Sequence, residues 1–291
     1  MSLFDRPRIR RAFSTAARGY AEQAVLQREV ESRLLERLEY LKAAPARVLD
    51  AGCGPGRAAV QMRRRFRRAQ VVAMDLAEGM LAEARRSGGW WHRPSCVQGD
   101  LMALPFADAS FDLVFSSLVL QWCEDVDAAL DECRRVLRPG GLLLLASFGP
   151  DTLRELREVF ADVDGAPHVS PFPDLHVLGD RLLAGGFRDP VIDNEHFTLT
   201  YKDARQLMRE LKAIGAGNAL AGRRRSLTGK VRMLDAIAGY ERFREDGRLP
   251  ATYEVVYAMA FGPEPGQPRR HGGADLAYIP ADRIPVRRRR E

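Results

Sequence analysis

Val48-Leu49-Asp50-Ala51-Gly52-Cys53-Gly54-Pro55-Gly56 is the stretch that decides the fold. A short buried strand from Arg47 to Ala51 carries Asp50 to its carboxyl end. Glycines at alternate positions then let the backbone pass close to a ligand in the crevice that forms there. Taken alone, such a run could be a tight turn. Here it sits between a strand and a helix, and three further signals fall at the distances a nucleoside site requires.

The first is Asp75, which ends a second strand from Gln70 and stands 25 residues after Asp50. An acid there can accept both ribose hydroxyls of a nucleoside. It can also cap the helix that begins at Leu76, and the two roles are compatible. The second is Gly99-Asp100-Leu101, after a third strand over Ser95–Gln98, where a carboxylate can accept a hydrogen bond from an adenine amino group. The third is Ser116-Ser117-Leu118-Val119-Leu120-Gln121-Trp122, after a fourth strand over Phe111–Phe115. It offers an apolar wall with a few polar groups, or simply more core. An amphipathic helix through Val126, Leu130, Cys133 and Leu137 stops at Pro139-Gly140-Gly141, and Leu142–Ser147 reads as a fifth strand. Strands alternating with helices at this spacing imply βαβ units, a parallel sheet and right-handed crossovers.

On the amino-terminal side, Leu26, Val30, Leu34, Leu38 and Leu41 form one helical stripe over 24–41. The arginines among the first twenty residues superficially resemble a transit peptide, but the acidic Asp5 favours a retained helix. Beyond residue 150 the pattern predicts helices over 151–160 and 173–184 and strands over 190–199 and 253–261. The stretch 202–248 is too long for an ordinary connection and reads as a helical cap over the sheet's functional edge. Residues 1–262 would then form one domain, followed by a basic tail, 263–291, rich in Pro, Gly and Arg.

Composition sets outer limits. With 46% hydrophobic and 29% charged residues the chain has a globular balance, and no apolar run approaches a membrane span. The four cysteines, Cys53, Cys96, Cys123 and Cys133, show neither zinc-ligand spacing nor a disulfide framework. No metal is expected, and reduced thiols fit the cytoplasm. The net charge of +6 is half accounted for by the tail, where seven arginines face four acids. A basic protein of this kind could bind nucleic acid, but the basic runs lack interleaved aromatics, so no nucleic-acid partner is expected.

The segments LDAGCGPG, AMDLAEGML, GDLMALPFADASFDLVFSS and RVLRPGG together resemble the class I S-adenosylmethionine-dependent methyltransferases over roughly residues 40–150. The resemblance implies an α/β, Rossmann-like fold: a mostly parallel seven-stranded sheet with helices on both faces, plus amino-terminal helices and the cap insertion. It implies S-adenosylmethionine as cofactor, held by Asp50, Gly52, Gly54, Asp75, Leu76, Asp100, Leu101 and Ser116. The flanks are similar to the malonyl-acyl-carrier-protein O-methyltransferases of biotin synthesis, through residues 11–20, Leu120-Gln121-Trp122-Cys123, Leu211–Ala216 and Leu249–Tyr253. A sister group, the arginine-hydroxylating assembly factors of respiratory complex I, shares much of this pattern, and Asn218-Ala219-Leu220 leans toward it. A nucleic-acid methyltransferase and a non-catalytic cofactor-binding protein are more distant readings.

The first resemblance implies methylation of the free carboxylate of malonyl-acyl-carrier protein, with the acidic carrier as partner. An ionised carboxylate needs no general base, so alignment and exclusion of solvent carry the reaction. Lys212 and Arg223 in the cap are the candidate cations for that carboxylate, and Tyr20 is placed to close over the methionine end of the cofactor. Arg224 and Arg225 are candidates for meeting the carrier, while His168, His176 and His196 receive no role.

Overall fold

The computed structural model describes residues 3–40, 44–89, 91–223, 229–264, 269–271 and 274–276. At its centre lie β1 (Arg47–Ala51), β2 (Gln70–Asp75), β3 (Ser95–Gln98), β4 (Phe111–Ser117) and β5 (Leu137–Phe148), joined by parallel pairing. β6 (Arg188–Tyr201) and β7 (Leu249–Phe261) complete a seven-stranded sheet in the order β3-β2-β1-β4-β5-β7-β6, with β7 antiparallel to both neighbours. The chain begins at the sheet's centre, winds outward to β3 and returns to place β4 on the other side of β1. The crevice between β1 and β4 is therefore a topological switch point, where open α/β sheets bind ligands.

Helices cover both faces because the central strands are apolar on both sides: β1 is buried from Val48 to Ala51 and β4 from Leu113 to Ser116. On one face, α2 (Val25–Glu36), α3 (Arg57–Arg65) and α6 (Arg154–Val163) pack over Leu113, Phe115, Leu144 and Tyr257. On the other, α5 (Val126–Val136) and α7 (Leu175–Ala184) cover Leu49, Val114, Leu143 and Val256. The remaining helices are α1 (Arg6–Gln23), α4 (Glu78–Ala84), α8 (Ala204–Ala213) and α9 (Lys230–Tyr240).

Several boundaries differ from the sequence reading, each for a local reason. The apolar stripe over 24–41 starts as α2 but tightens into a 3-10 turn over Arg37–Tyr40, and α1 precedes it, separated by Ala24. Ala24 is fully buried with ψ 58, so the chain bends there without leaving the core. β5 begins at Leu137, where Leu137 pairs with Phe111, and the ladder resumes at Leu142 after the Pro139-Gly140-Gly141 irregularity. The segment 202–248 contributes α8 and α9, joined by the non-helical residues 214–223 and by residues outside the described set. That non-helical segment reaches the amino terminus: Asp5 donates its backbone N–H to Ala219, and Phe4 bridges Leu220.

Candidate active site

The cleft at the carboxyl ends of β1–β4 is assembled mainly by backbone. Gly52 and Cys53 both donate to the Met74 carbonyl, at 2.7 and 2.9 Å, which seats the glycine loop on the end of β2. Gly52 has φ +82, and a Cβ there would lie 2.2 Å from Cγ2 of Val119. Gly54 has φ +53, and a Cβ there would meet nothing within 4 Å, so the bare backbone faces open cleft. Both positions take a left-handed conformation that favours glycine, and at Gly52 the Val119 side chain leaves no room for a Cβ.

Asp75 is held by two backbone donors, Gly54 N to Oδ2 at 2.9 Å and Ala77 N to Oδ1 at 2.8 Å. It thus holds the turn that leads into α4 and lines the cleft at once. Burial pushes its carboxyl up to about 6, against the pull of those backbone N–H groups. Leu76, Asp100 and Leu101 line the same cleft. Asp100 accepts from Met102 N at 3.0 Å and pairs with Arg6, a residue of α1. Through Arg6, Ile9, Phe13 and Tyr20, α1 forms a wall of the cleft.

An inner arm of the cleft shares Tyr20, Gly52, Gly54 and Ser117 and ends among Asp50, Glu31 and Arg57. Asp50 is 2% exposed, and its Oδ2 has no hydrogen-bond partner among the described residues. Burial raises its carboxyl well above the usual range, and the nearby Glu31 and Asp75 add to the effect. Burial also raises Glu31, whose ion pair with Arg57 at 2.6 Å opposes the shift. The Tyr20 phenol is pushed up by burial and by Asp75 and Glu31. Asp50, raised by Glu31 and Asp75 and without a partner at Oδ2 among the described residues, would be relieved by a cationic group of a ligand, while Arg28 and Arg57 also line the inner arm.

Two expected site residues stand elsewhere. Ser116 is buried and donates its Oγ to the Ala51 carbonyl at 2.9 Å, while its neighbour Ser117 lines the cleft. β4 runs two residues past its apolar core, and strand alternation turns Ser116 toward the β1 backbone. Arg223 lines neither the cleft nor the chamber described next: its guanidinium pairs with Asp5 Oδ2 at 2.8 Å and donates to the Leu220 carbonyl at 2.8 Å. It fastens the start of α1 to the segment after α8. Arg224 and Arg225 lie outside the described residues.

A second chamber adjoins the cleft, sharing Trp122 with it and Gln27 with the inner arm. Its walls are largely apolar: Phe148, Phe172 and Tyr253 cluster with ring centroids 5.7 and 5.9 Å apart, and Met208 and Leu211 come from α8. Lys212 and His168 supply its ionisable edge. The wall after β5 is pinned by β7. Glu254 accepts from Asp151 N at 3.0 Å, Thr152 Oγ1 donates to the Glu254 carbonyl at 3.0 Å, and Thr252 N donates to Glu155 at 3.1 Å. These contacts explain Thr252 and Glu254 as structural pegs. They hold Leu153 at φ 54, a left-handed conformation unusual for leucine. Asp151, His196 and Glu254 also bring ligand atoms within 4.8 Å of one another outside this chamber's polar edge, although no metal was expected from the sequence.

The sequence reading missed Arg6, Phe13 and His168. The first two sit on a helix whose role depends on where it docks, and His168 lies in a segment without periodicity. Trp122 was legible as part of the wall after β4.

Comparison with known proteins gives a consistent picture. Residues 49–145 match the family model described as a methyltransferase domain. A malonyl-[acyl-carrier protein] O-methyltransferase from Xylella fastidiosa is 50% identical over 289 residues, covering 99% of this chain and 98% of the relative. The protein of the same name from Halorhodospira halophila is 50% identical, covering 98% and 97%. Among solved structures, a methyltransferase from Bacillus halodurans superposes with TM-score 0.58 at 22% identity, over 80% of this chain and 99% of that one. Phosphoethanolamine N-methyltransferase 2 from Haemonchus contortus, solved with S-adenosyl-L-methionine, gives TM-score 0.51 at 22% identity, over 80% of this chain and 52% of that one.

Proposed function

The chain belongs to the malonyl-[acyl-carrier protein] O-methyltransferase family, and from that premise we propose that it methylates the free carboxylate of a malonyl group carried by acyl carrier protein. The observation that carries this reading is the extent of the match, 99% of the chain at 50% identity. It takes in α1, the cap and the chamber walls as well as the methyltransferase core. The arginine-hydroxylating alternative is set aside, because these full-length relatives bear the O-methyltransferase name.

The residues present fit S-adenosylmethionine. The unpartnered Asp50 Oδ2, with Glu31 and Asp75 nearby, suits a ligand carrying an ammonium and a sulfonium. In this reading Asp75 would accept from ribose hydroxyls and Asp100 from an adenine amino group, and Gly52 and Gly54 would let the backbone approach closely; all four line the cleft. When bound, this cofactor supplies an activated methyl group. The chain's own task is alignment. A malonyl carboxylate is ionised near neutral pH, so no side chain must create the nucleophile. Trp122 and Gln27, at the junction of cleft and chamber, border the space where donor and acceptor would meet. The apolar chamber walls exclude water from it.

The outer face of α8 suits an acidic carrier. Arg205, Arg209 and Lys212 recur on one side of the helix, all are exposed, and none makes an ion pair among the described residues. Arg135, Arg242 and Arg244 are ion-paired, whereas among the described residues Arg63, Arg64, Arg65, Arg67 and Arg68 are not; what sets the α8 group apart is that its helix lines the chamber. Met208 and Leu211 of the same helix line the chamber, so a carrier on this face would deliver its arm directly inward. No helix among the described residues is long and apolar enough to cross a membrane, which is compatible with a cytoplasmic carrier as partner. Incubation with labelled S-adenosylmethionine and malonyl-carrier protein, followed by mass detection of the methyl ester, tests the reading. Failure to methylate either malonyl-carrier protein or malonyl-CoA would remove it.

A further inference from the structure

We propose that His168, held against Asp164 on the wall of the second chamber, is the donor that binds the acceptor's ionised carboxylate. This assignment rests on the carboxyl-methylation reading above. Among the described residues, the chamber lining has two side chains able to carry positive charge, Lys212 and His168. Lys212 is exposed at the end of α8, whereas the His168 side chain is only 16% exposed. An anion drawn into a chamber walled by Phe148, Phe172 and Tyr253 needs a fixed donor inside as well as a cation at the rim.

His168 is fixed from three directions. Its Nε2 meets Asp164 Oδ1 at 3.0 Å, and its ring stacks on Phe160 with centroids 3.7 Å apart and planes inclined by 14°. The turn that carries it is anchored to the segment after α8 by Asn218 Nδ2, which donates to the Pro167 carbonyl at 2.8 Å. With Nε2 committed to Asp164, Nδ1 is the nitrogen left for a ligand. With a proton on each ring nitrogen, Nε2–H donates to Asp164 and Nδ1–H can donate to a ligand carboxylate. Asp164 suits the accepting role. Burial opposes its ionisation, but the Ala166 N–H and the His168 imidazole hold its carboxyl below the usual range. The other ionisable groups around the pair are Arg232 of α9, which acts on Asp164, Lys212 of α8 and the Tyr253 phenol of β7.

His168→Gln should raise the KM for malonyl-carrier protein by roughly 10–100-fold, the scale of a lost charge-assisted hydrogen bond, with kcat changed far less. Affinity for S-adenosylmethionine, measured by calorimetry, should be unchanged, which also reports that the variant is folded. Asp164→Asn, which loosens the ring's anchor, should raise the same KM in the same direction, and it decides the matter if His168→Gln fails to bind cofactor. The methyl-ester product should inhibit wild type and His168→Gln equally, because the carboxylate it reads is gone. An unchanged KM in His168→Gln would overturn the assignment. So would equal weakening of product inhibition, which would place His168 on the thioester arm instead. A wild type that methylates neither malonyl substrate would instead sink the functional reading itself.

Discussion

The cofactor cleft and the acceptor chamber lie side by side and share Trp122, yet they are built by opposite means. The cleft gathers at the ends of consecutive strands: Gly52 and Gly54 follow β1, Asp75 ends β2 and Asp100 stands two residues after β3. The chamber is made by side chains from α2, the turn after β4, the segment after β5, α8 and β7, elements scattered across the chain. A backbone site is shaped by topology and tolerates no steric change. A side-chain site can change its chemistry while the fold stands. The expected consequence is that substitutions in the cleft abolish cofactor binding, whereas substitutions in the chamber alter the acceptor and leave the cofactor bound.

The largest effect should come from Gly52→Ala. The left-handed φ and the Val119 contact together should cost about 2–4 kcal/mol of stability, read from urea unfolding, with loss of cofactor binding. A stable variant with normal affinity would show that the cleft is as pliable as the chamber. Next, Asp75→Ala should weaken S-adenosylmethionine by on the order of tenfold or more in calorimetry, through lost ribose contacts. Normal affinity would leave Asp75 as a support of the turn before α4 alone.

Asp75 should also set a pH dependence. Its carboxyl lies at about 6 in the folded protein, so it is increasingly protonated below that value. Hydroxyl donors favour the ionised form. Affinity should therefore rise with pH up to about 6, by at most about tenfold per unit, and level off above it. Asp75→Asn should lose the rise that Asp75 causes, and an identical slope in that variant would assign the titration elsewhere, Asp50 and Glu31 being the nearest alternatives. Smaller still, Arg205→Ala and Arg209→Ala should raise the KM for malonyl-carrier protein by only about two- to fivefold at low salt. The deficit should shrink as salt screens the wild type, and malonyl-CoA should hardly notice the change. Equal losses with both substrates would place these arginines on the acyl arm. Least of all, Arg223→Ala should lower Tm while leaving turnover within about a factor of two, because its partner is Asp5. A large drop in turnover would return Arg223 to the substrate.

Legibility in the sequence follows the same division. That Asp50, Gly52, Gly54, Asp75, Leu76, Asp100 and Leu101 gather around the cleft was readable, because each lies within three residues of a strand end, where local pattern and spacing fix position. Ser116 missed by one residue, since an apolar run marks a strand but does not show how far past it the ladder continues. Arg223 looked like a free cation because its partner is 218 positions away in sequence. The chamber was hardly legible at all.

The sequence by itself determined a mostly parallel α/β sheet with a ligand crevice expected at the carboxyl end of β1; the strand order that makes it a switch point came from the structure. Alternating hydrophobicity, strand length and glycine placement are local quantities, and chirality leaves few ways to connect the resulting elements. Tertiary structure alone decided which cations are free and which are paired, that Asp50 keeps an unmet oxygen in a buried arm, and that His168 stands on Asp164 beside Phe160. Each of these depends on distance between residues remote in sequence, and on burial, which strengthens electrostatic interactions only once the chain has closed around them.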